Sequence, residues 1–276
     1  MRALLITALT PLLLPLALTA GDLPDASCPT ASLTTYERNF GGSAGCTNGI
    51  LDFYGFNLVS SSVSGGATLL STDDIMLSPA LDGPSRGQLG NTGIDIGTEP
   101  GFSFSVGAGQ TAQYVIDWFF SIDNGPSAGG ASLDLDPPQG GVSITQYICV
   151  DSDIESANGA PDAGLFCNIP GEFNTYFAPP PIQHLTATPC DPPSDVPCSN
   201  TDPSITLEPP AHDYADIRTI INLDGTGPDQ SASFDNIAGR ADIVPPDAPE
   251  PGTWLLAAAG LIGFGLLRNS RAKQRI

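Results

Sequence analysis

The sequence has few basic residues and only two histidines, and most of its basic side chains lie near its two ends. All 30 acidic residues fall between Asp22 and Glu250, where only four arginines oppose them, so this stretch carries a net charge of −26. Such a charge repels nucleic acids and anionic lipids, which argues against both as partners of the acidic stretch. Two histidines without an H-E-x-x-H or C-x-x-C motif also give metalloprotease or zinc chemistry little support.

The acidic stretch also lacks long segments with the hydrophobic period of helices. Apolar and polar residues instead alternate in TAQYVIDWFFSID and YADIRTIINL, and 31 glycines and 27 prolines punctuate the chain. A period of two is typical of strands that bury one face. We therefore predict a mainly β fold, a single β-sandwich of jelly-roll or immunoglobulin-like type over residues 21–244. Further predicted strands are ILDFYGFNL, GFSFSV, ASLDLD, VSITQYICV, IQHLTAT, SITLE and SASFDNI, with DGTGPDQ as the hairpin loop that precedes the last of them.

The N-terminal end is chemically different from this stretch. Residues 1–20 combine a basic Arg2 with an apolar run and a small residue, Ala20, suited to cleavage. This pattern predicts a secretory signal peptide. The alternative is a helix that stays in the membrane, but the run is short for one.

The C-terminal end contains a short apolar segment, residues 254–267, which are 14 residues without a charge. A helix of that length rises about 21 Å, less than the roughly 30 Å of a hydrocarbon core. Snorkelling basic side chains in the flanking tail, residues 268–276, make a marginal span workable. We predict a transmembrane helix whose basic tail is cytoplasmic and whose acidic domain lies outside. The alternative, a buried core helix, would show a polar face, and this segment has none.

A proline-rich linker, residues 245–253, precedes this helix. Its tripeptide Pro249-Glu250-Pro251, followed by Gly-Thr-Trp, an apolar stretch and an Arg-rich end, resembles the PEP-CTERM sorting signal, also called the ice-binding protein C-terminal domain. The resemblance implies that an exosortase, a membrane-embedded transpeptidase-like enzyme, recognises the tripeptide and processes the chain. It also implies export, transient anchoring in the inner membrane and delivery to the cell surface or extracellular matrix. Two prolines cannot continue a helix, so the tripeptide is expected to lie extended just outside the membrane.

Six cysteines in an exported chain predict disulfide bonds. Many pairings are possible, and the nearest-neighbour choice closes three short loops. It joins Cys28 to Cys46, Cys149 to Cys167, and Cys190 to Cys198. The alternative use of cysteine, metal binding, would have only His184 and His212 to help.

A possible calcium loop lies in DSDIESANGAPD, residues 151–162. Its alternating carboxylates and the position of the last one resemble an oxygen-ligand loop. The candidate ligands are Asp151, Asp153, Glu155 and Asp162. The pattern departs from such a loop because Ser156 stands where a sharp turn needs glycine. The favoured interpretation is a solvated acidic loop closed by a disulfide, and no other cofactor is predicted.

The remaining motifs favour a protein without enzymatic activity. GGSAG and GPSAG satisfy G-x-S-x-G but lack the following helix, and GAGQTA leads into a predicted strand. We predict a non-enzymatic surface or matrix protein. The first alternative is a carbohydrate-binding module of an exopolysaccharide matrix, for which Trp118 is a predicted core residue and the candidate aromatics are Tyr147, Tyr176 and Phe177. The second is a secreted hydrolase that would use paired carboxylates such as Asp134 and Asp136.

Overall fold

The structure is a computed structural model that describes the following residues: 26–48, 51–81, 91–122, 127–135, 139–168, 182–188, 203–211, 214–227 and 231–244. No helix within these ranges is long and apolar enough to cross a membrane. The predicted signal peptide, proline-rich linker, transmembrane helix and basic tail lie outside them, as do the cysteines of the third predicted disulfide.

The described residues form one short helix and 17 strands. The helix is α1 (Leu33–Phe40). The strands are β1 (Ala26–Ser27), β2 (Ala31–Ser32), β3 (Cys46–Asn48), β4 (Leu51–Ser64), β5 (Ile75–Leu81), β6 (Asn91–Thr98), β7 (Phe104–Val106), β8 (Thr111–Ile122), β9 (Ser127–Leu135), β10 (Gln139–Val150), β11 (Asp153–Ser156), β12 (Leu165–Asn168), β13 (Gln183–Ala187), β14 (Ser204–Ala211), β15 (Tyr214–Asp224), β16 (Ala232–Phe234) and β17 (Asn236–Val244).

The strands form three sheets. The largest has nine strands in the order β1-β3-β4-β8-β15-β10-β16-β7, with β13 also pairing with β10. The second has six strands in the order β14-β9-β17-β6-β5-β2, and the third is the two-stranded hairpin of β11 and β12. The predicted mainly β fold is therefore confirmed, with several sheets. The single sandwich of jelly-roll or immunoglobulin-like type stays a prediction.

Residues of both large sheets contribute to one buried apolar cluster. Asn48 of the nine-stranded sheet also donates hydrogen bonds from Nδ2 to the carbonyl oxygens of Ala80 and Gly93 in the six-stranded sheet, at 3.2 and 3.1 Å. Gly239 of β17 brings its backbone against Trp118, since a Cβ there would lie 3.2 Å from the indole Cζ2. Trp118 is 2% exposed, which confirms its predicted place in the core.

The period-two prediction is confirmed for the two longest alternating segments. They form β8 and β15, which pair antiparallel with Trp118 opposite Ile217. On β15 the residues that face the shared core alternate with Asp216 and Arg218, which point to the other face. The other predicted segments overlap β4, β7, β9, β10, β13, β14, β16 and β17.

Two local predictions need correction. The segment DGTGPDQ does not close a hairpin, because β15 and β16 both pair with β10 and, in the described residues, not with each other. SASFDNI is also not one strand: it divides between β16 and β17 at Asp235. The helix α1 was not predicted, since its eight residues are too few to show a helical period, although the Ser32 side chain accepts a hydrogen bond from the Thr35 N–H as an N-cap.

Two of the three predicted disulfides are confirmed. Cys28 bonds to Cys46, with the Cα atoms 4.8 Å apart, and Cys149 bonds to Cys167 at 5.4 Å. Each closes a short loop of 18 positions, for which about 2–4 kcal/mol of stabilisation is typical. The second bridge ties β12 to β10 and so holds the β11–β12 hairpin close to the large sheet.

Candidate functional site

The outward face of β8 and β15 carries an ion pair between Asp117 and Arg218. The Arg218 Nε donates to Asp117 Oδ1 at 2.7 Å and Nη2 donates to Oδ2 at 2.6 Å. The two residues stand directly opposite each other in the sheet. The Arg218 side chain is 9% exposed and the Asp117 side chain 15%. Burial acts to lower the pKa of Arg218, but the hydrogen bond and charge of Asp117 together raise it. Such a two-point pair is a charge-assisted contact of fixed geometry.

Asp216 is a second carboxyl group on this face, and it is 2% exposed. Its Oδ2 accepts a hydrogen bond from the Ile154 N–H at 2.6 Å, while Oδ1 is buried without a hydrogen-bond partner. Burial raises the pKa of Asp216 to about 8, against the effect of the Ile154 N–H. The charge of Asp117 adds to the rise and that of Arg218 opposes it. At neutral pH most copies of this carboxyl are therefore protonated.

Two tyrosines border these charges. The Tyr214 hydroxyl donates to Asp153 Oδ1 at 3.2 Å, and burial, followed by the charge of Asp153, raises the Tyr214 pKa. The Tyr54 ring stacks on Phe119 with 5.4 Å between centroids, and burial together with nearby Asp153 and Asp216 raises the Tyr54 pKa. Both phenols therefore stay protonated and act as hydrogen-bond donors, not as bases.

The β11–β12 hairpin lies over this face. Residues 153–168, comprising β11, β12 and their turn, are named the covering hairpin here. Its Ile154 N–H bonds to Asp216, and its Pro161 carbonyl accepts from Arg218 Nη1 at 3.2 Å. Its Asp162 carboxylate accepts from Gln113 Nε2 at 3.2 Å. The sheet thus holds the covering hairpin through several separate polar contacts.

The sequence did not single out Asp117, Asp216 or Arg218. A signal was present, since all three interrupt the most apolar strands of the chain at positions that face away from the core. Charged residues are almost never fully buried unless they are paired, so charges in such strands indicate a partner elsewhere. The identity of that partner depends on which strands are neighbours, which the sequence does not state.

The four candidate calcium ligands lie on or beside the covering hairpin but serve other contacts. Asp151 accepts from the Tyr214 N–H, Asp153 from the Tyr214 hydroxyl, Glu155 from Asn168 and Asp162 from Gln113. Within the described residues, no group of three or more His, Cys, Asp or Glu side chains is arranged to hold a metal ion. The described geometry gives the possible calcium site no support, and the favoured interpretation of a solvated acidic loop stays a prediction.

We expect the wild-type chain to show no calcium binding at millimolar concentration in isothermal titration calorimetry. The physical reason is that Asp151 and Asp153 already accept hydrogen bonds from Tyr214 of β15, and Asp162 from Gln113 of β8. They would have to leave these donors to converge on one ion. A saturable heat at millimolar calcium that disappears in Asp153→Asn would contradict this expectation. Magnesium is the control for non-specific binding to an acidic surface.

The other candidate residues are dispersed. Tyr147 is half-buried, with its ring 5.8 Å from that of His184, and it packs against the Cys149–Cys167 cluster. Asp134 lies 3.5 Å from Arg240 across the six-stranded sheet, as an ion pair. Other members of the predicted sets, Asp136, Tyr176, Phe177 and His212, lie outside the described residues. The described geometry therefore does not bring the predicted aromatic or paired-carboxylate sets together.

The decisive similarity to known proteins lies at the C-terminus. Residues 247–269 match the family model of the PEP-CTERM protein-sorting motif. The chain carries a PEP-CTERM sorting motif. The resemblance of Pro249-Glu250-Pro251 and the apolar, basic end that follows is thereby confirmed. The motif indicates an exported protein that an exosortase targets and that reaches the cell surface or the extracellular space.

The match to the PEP-CTERM motif does not extend into the described β domain, which ends at Val244. No curated protein matches the chain. The features of the β domain that bear on its role are therefore its charge, its disulfides and its contacts.

Proposed function

We propose that the chain is a non-enzymatic protein of the cell surface or exopolysaccharide matrix. Residues 254–267 anchor it transiently in the inner membrane until an exosortase acts at Pro249-Glu250-Pro251. The single observation that carries the proposal is the match of residues 247–269 to the sorting motif. Residues 21–244 are then the delivered part, a single sandwich of jelly-roll or immunoglobulin-like type.

The composition of the acidic part supports this role. Two disulfides suit an oxidising compartment outside the cytoplasm. A net charge of −26 keeps the delivered domain hydrated among polysaccharide chains and resists self-association. Among the described candidate aromatics, Trp118 is buried in the core and Tyr147 is half-buried, so neither ring supports the sugar-binding alternative.

We expect mass spectrometry of the chain from its native host to find a C-terminus within or beside residues 249–251. The protein should be in the outer surface or medium fraction, with the apolar helix removed or replaced by an adduct. Glu250→Gln should leave the terminus at Ile276 and retain the chain in the membrane fraction, because it removes the charge of the recognised tripeptide.

The matched control is Glu99→Gln, which changes an exposed carboxylate of the β domain outside the motif and should be processed like wild type. An intact terminus in the wild-type chain would instead make residues 254–267 a permanent anchor and overturn the proposal. Equal processing of Glu250→Gln and wild type would show that cleavage does not depend on the charge of the tripeptide. This result would also count against the proposal.

A further inference from the structure

The buried carboxyl of Asp216 lies where the covering hairpin meets the large sheet. The Ile154 N–H of the hairpin supplies the hydrogen bond to Oδ2, while no donor satisfies Oδ1. A buried oxygen without a donor is costly when it carries charge and much less costly when the carboxyl is neutral. The closed hairpin therefore favours the protonated form of Asp216.

The charged and titratable groups around Asp216 come from four strands. Asp117 of β8 and Asp153 of β11 add negative charge, and Arg218 of β15 adds positive charge. Tyr54 of β4 and Tyr214 of β15 also respond to the charge of Asp216. Arg218 does not cancel the carboxylates, since it already forms two hydrogen bonds to Asp117. An ionised Asp216 would thus gain little compensation while the hairpin is closed.

The Cys149–Cys167 disulfide limits how far the covering hairpin can move away from the large sheet. It ties β12 to the end of β10 and keeps the hairpin attached when the polar contacts are lost. The contacts that must break are those of Asp153, Ile154, Pro161 and Asp162 with the sheet. Opening can therefore be local, while β17 and the rest of the six-stranded sheet keep their hydrogen bonds.

We propose that the covering hairpin is a pH-sensitive element that stays closed while Asp216 is neutral and opens more readily when that carboxyl ionises. Opening admits water to Asp216 Oδ1. The water hydrates the carboxylate and so removes the energetic penalty on its charge. Opening uncovers the part of the sheet face that carries Asp216 and the Asp117–Arg218 pair, because Ile154 and Pro161 of the hairpin contact these groups.

The direction of the pH dependence follows from linkage. Opening returns the Asp216 pKa from about 8 toward its ordinary value of 3.8. Between these values the open state loses its proton first, so rising pH favours opening by up to about tenfold per pH unit. Above a pH of about 8 both states are ionised and the opening equilibrium no longer changes with this group.

The test is hydrogen exchange of the full chain, followed by mass spectrometry from pH 5 to pH 9 and corrected for intrinsic exchange rates. In wild type, the protection of residues 153–168 should fall by up to about tenfold per pH unit and level off above pH 8 or so. Protection of β17 should stay constant. In Asp216→Asn the side chain is neutral at every pH, so hairpin protection should not change with pH.

The matched control is Asp73→Asn, which neutralises an exposed carboxyl between β4 and β5 and should keep the wild-type slope. Constant hairpin protection in wild type, or an equal slope in Asp216→Asn, would overturn the proposal. A slope shared by β17 would also overturn it, because it would report global unfolding. If Asp216→Asn does not fold, carbon-13 NMR of the wild-type carboxyl decides: a midpoint near 8 supports the proposal and one near 4 refutes it.

Discussion

Replacing Arg218 with methionine is expected to lower the free energy of unfolding by about 3–5 kcal/mol. The substitution removes both hydrogen bonds to Asp117, whose side chain is only 15% exposed. It leaves that carboxylate beside Asp216 with no opposite charge, and it removes the donor to the Pro161 carbonyl. Chemical denaturation in guanidinium chloride, with the slope compared between variants, measures the loss.

The matched control is Arg240→Met. Arg240 also pairs with an aspartate across two strands, but Asp134 is 48% exposed and the separation is 3.5 Å. Water screens such a pair more than the Asp117–Arg218 pair, so we expect a smaller loss than in Arg218→Met. Equal losses in the two variants would show that burial does not determine the value of the Asp117–Arg218 pair.

A double variant separates pairing from packing. In Asp117→Asn with Arg218→Met, no unpaired charge remains, so the loss should be smaller than in Arg218→Met alone. If the double variant loses as much stability as the single variants Asp117→Asn and Arg218→Met lose together, the two residues act independently.

The strand content of the fold was predictable because the alternation of apolar residues is local information. In β8 and β15 each core residue is separated from the next by one residue, and the pattern alone placed Trp118 inside. The same argument failed for α1, where eight residues provide too few turns to display a period. It also failed for the covering hairpin, whose two strands of four residues each are too short to display a period.

Pairing between distant strands was not predictable from the same information. The loop DGTGPDQ has the composition of a turn, yet β15 and β16 lie on opposite edges of β10. Asp117 and Arg218 are 101 positions apart, so their ion pair exists only because β8 and β15 are neighbours. The candidate site on the outward face depends on these long-range pairings. The sequence showed charges within apolar strands but not which strands would bring their partners.

The calcium-like spacing shows the same limit at shorter range. Asp153 and Glu155 stand two positions apart in β11, so they share a face of the strand but are held roughly 6.5–7 Å apart along it. Each carboxylate has its own partner: Asp153 accepts from the Tyr214 hydroxyl, while Glu155 accepts from Asn168 and is exposed. A coordination loop needs its oxygens to converge, and a strand separates them.

Trp118→Ala is expected to lower the free energy of unfolding by about 3–5 kcal/mol, the range for truncating a large buried aromatic side chain. The indole lies 5.8 Å from the Phe53 ring, and the β17 backbone at Gly239 lies close to it, since a Cβ there would be 3.2 Å from the indole Cζ2. Truncation therefore leaves a cavity lined by both large sheets and removes the donor to Thr219. Because Trp118 itself is lost, circular dichroism during denaturation measures the effect.

Phe102→Ala is the matched control, since Phe102 is the most exposed of the large apolar side chains in the described residues, at 49%. We expect its stability change to be within about 0.5 kcal/mol. Trp118→Phe keeps a ring in the core and should lose clearly less than Trp118→Ala. Glycan binding that disappears in Trp118→Ala while stability is unchanged would mean that the indole contacts a sugar instead of joining the two sheets. A loss of stability in Trp118→Ala without an effect on glycan binding would instead assign Trp118 to the core. The matrix proposal would then rest on the charge and the sorting motif.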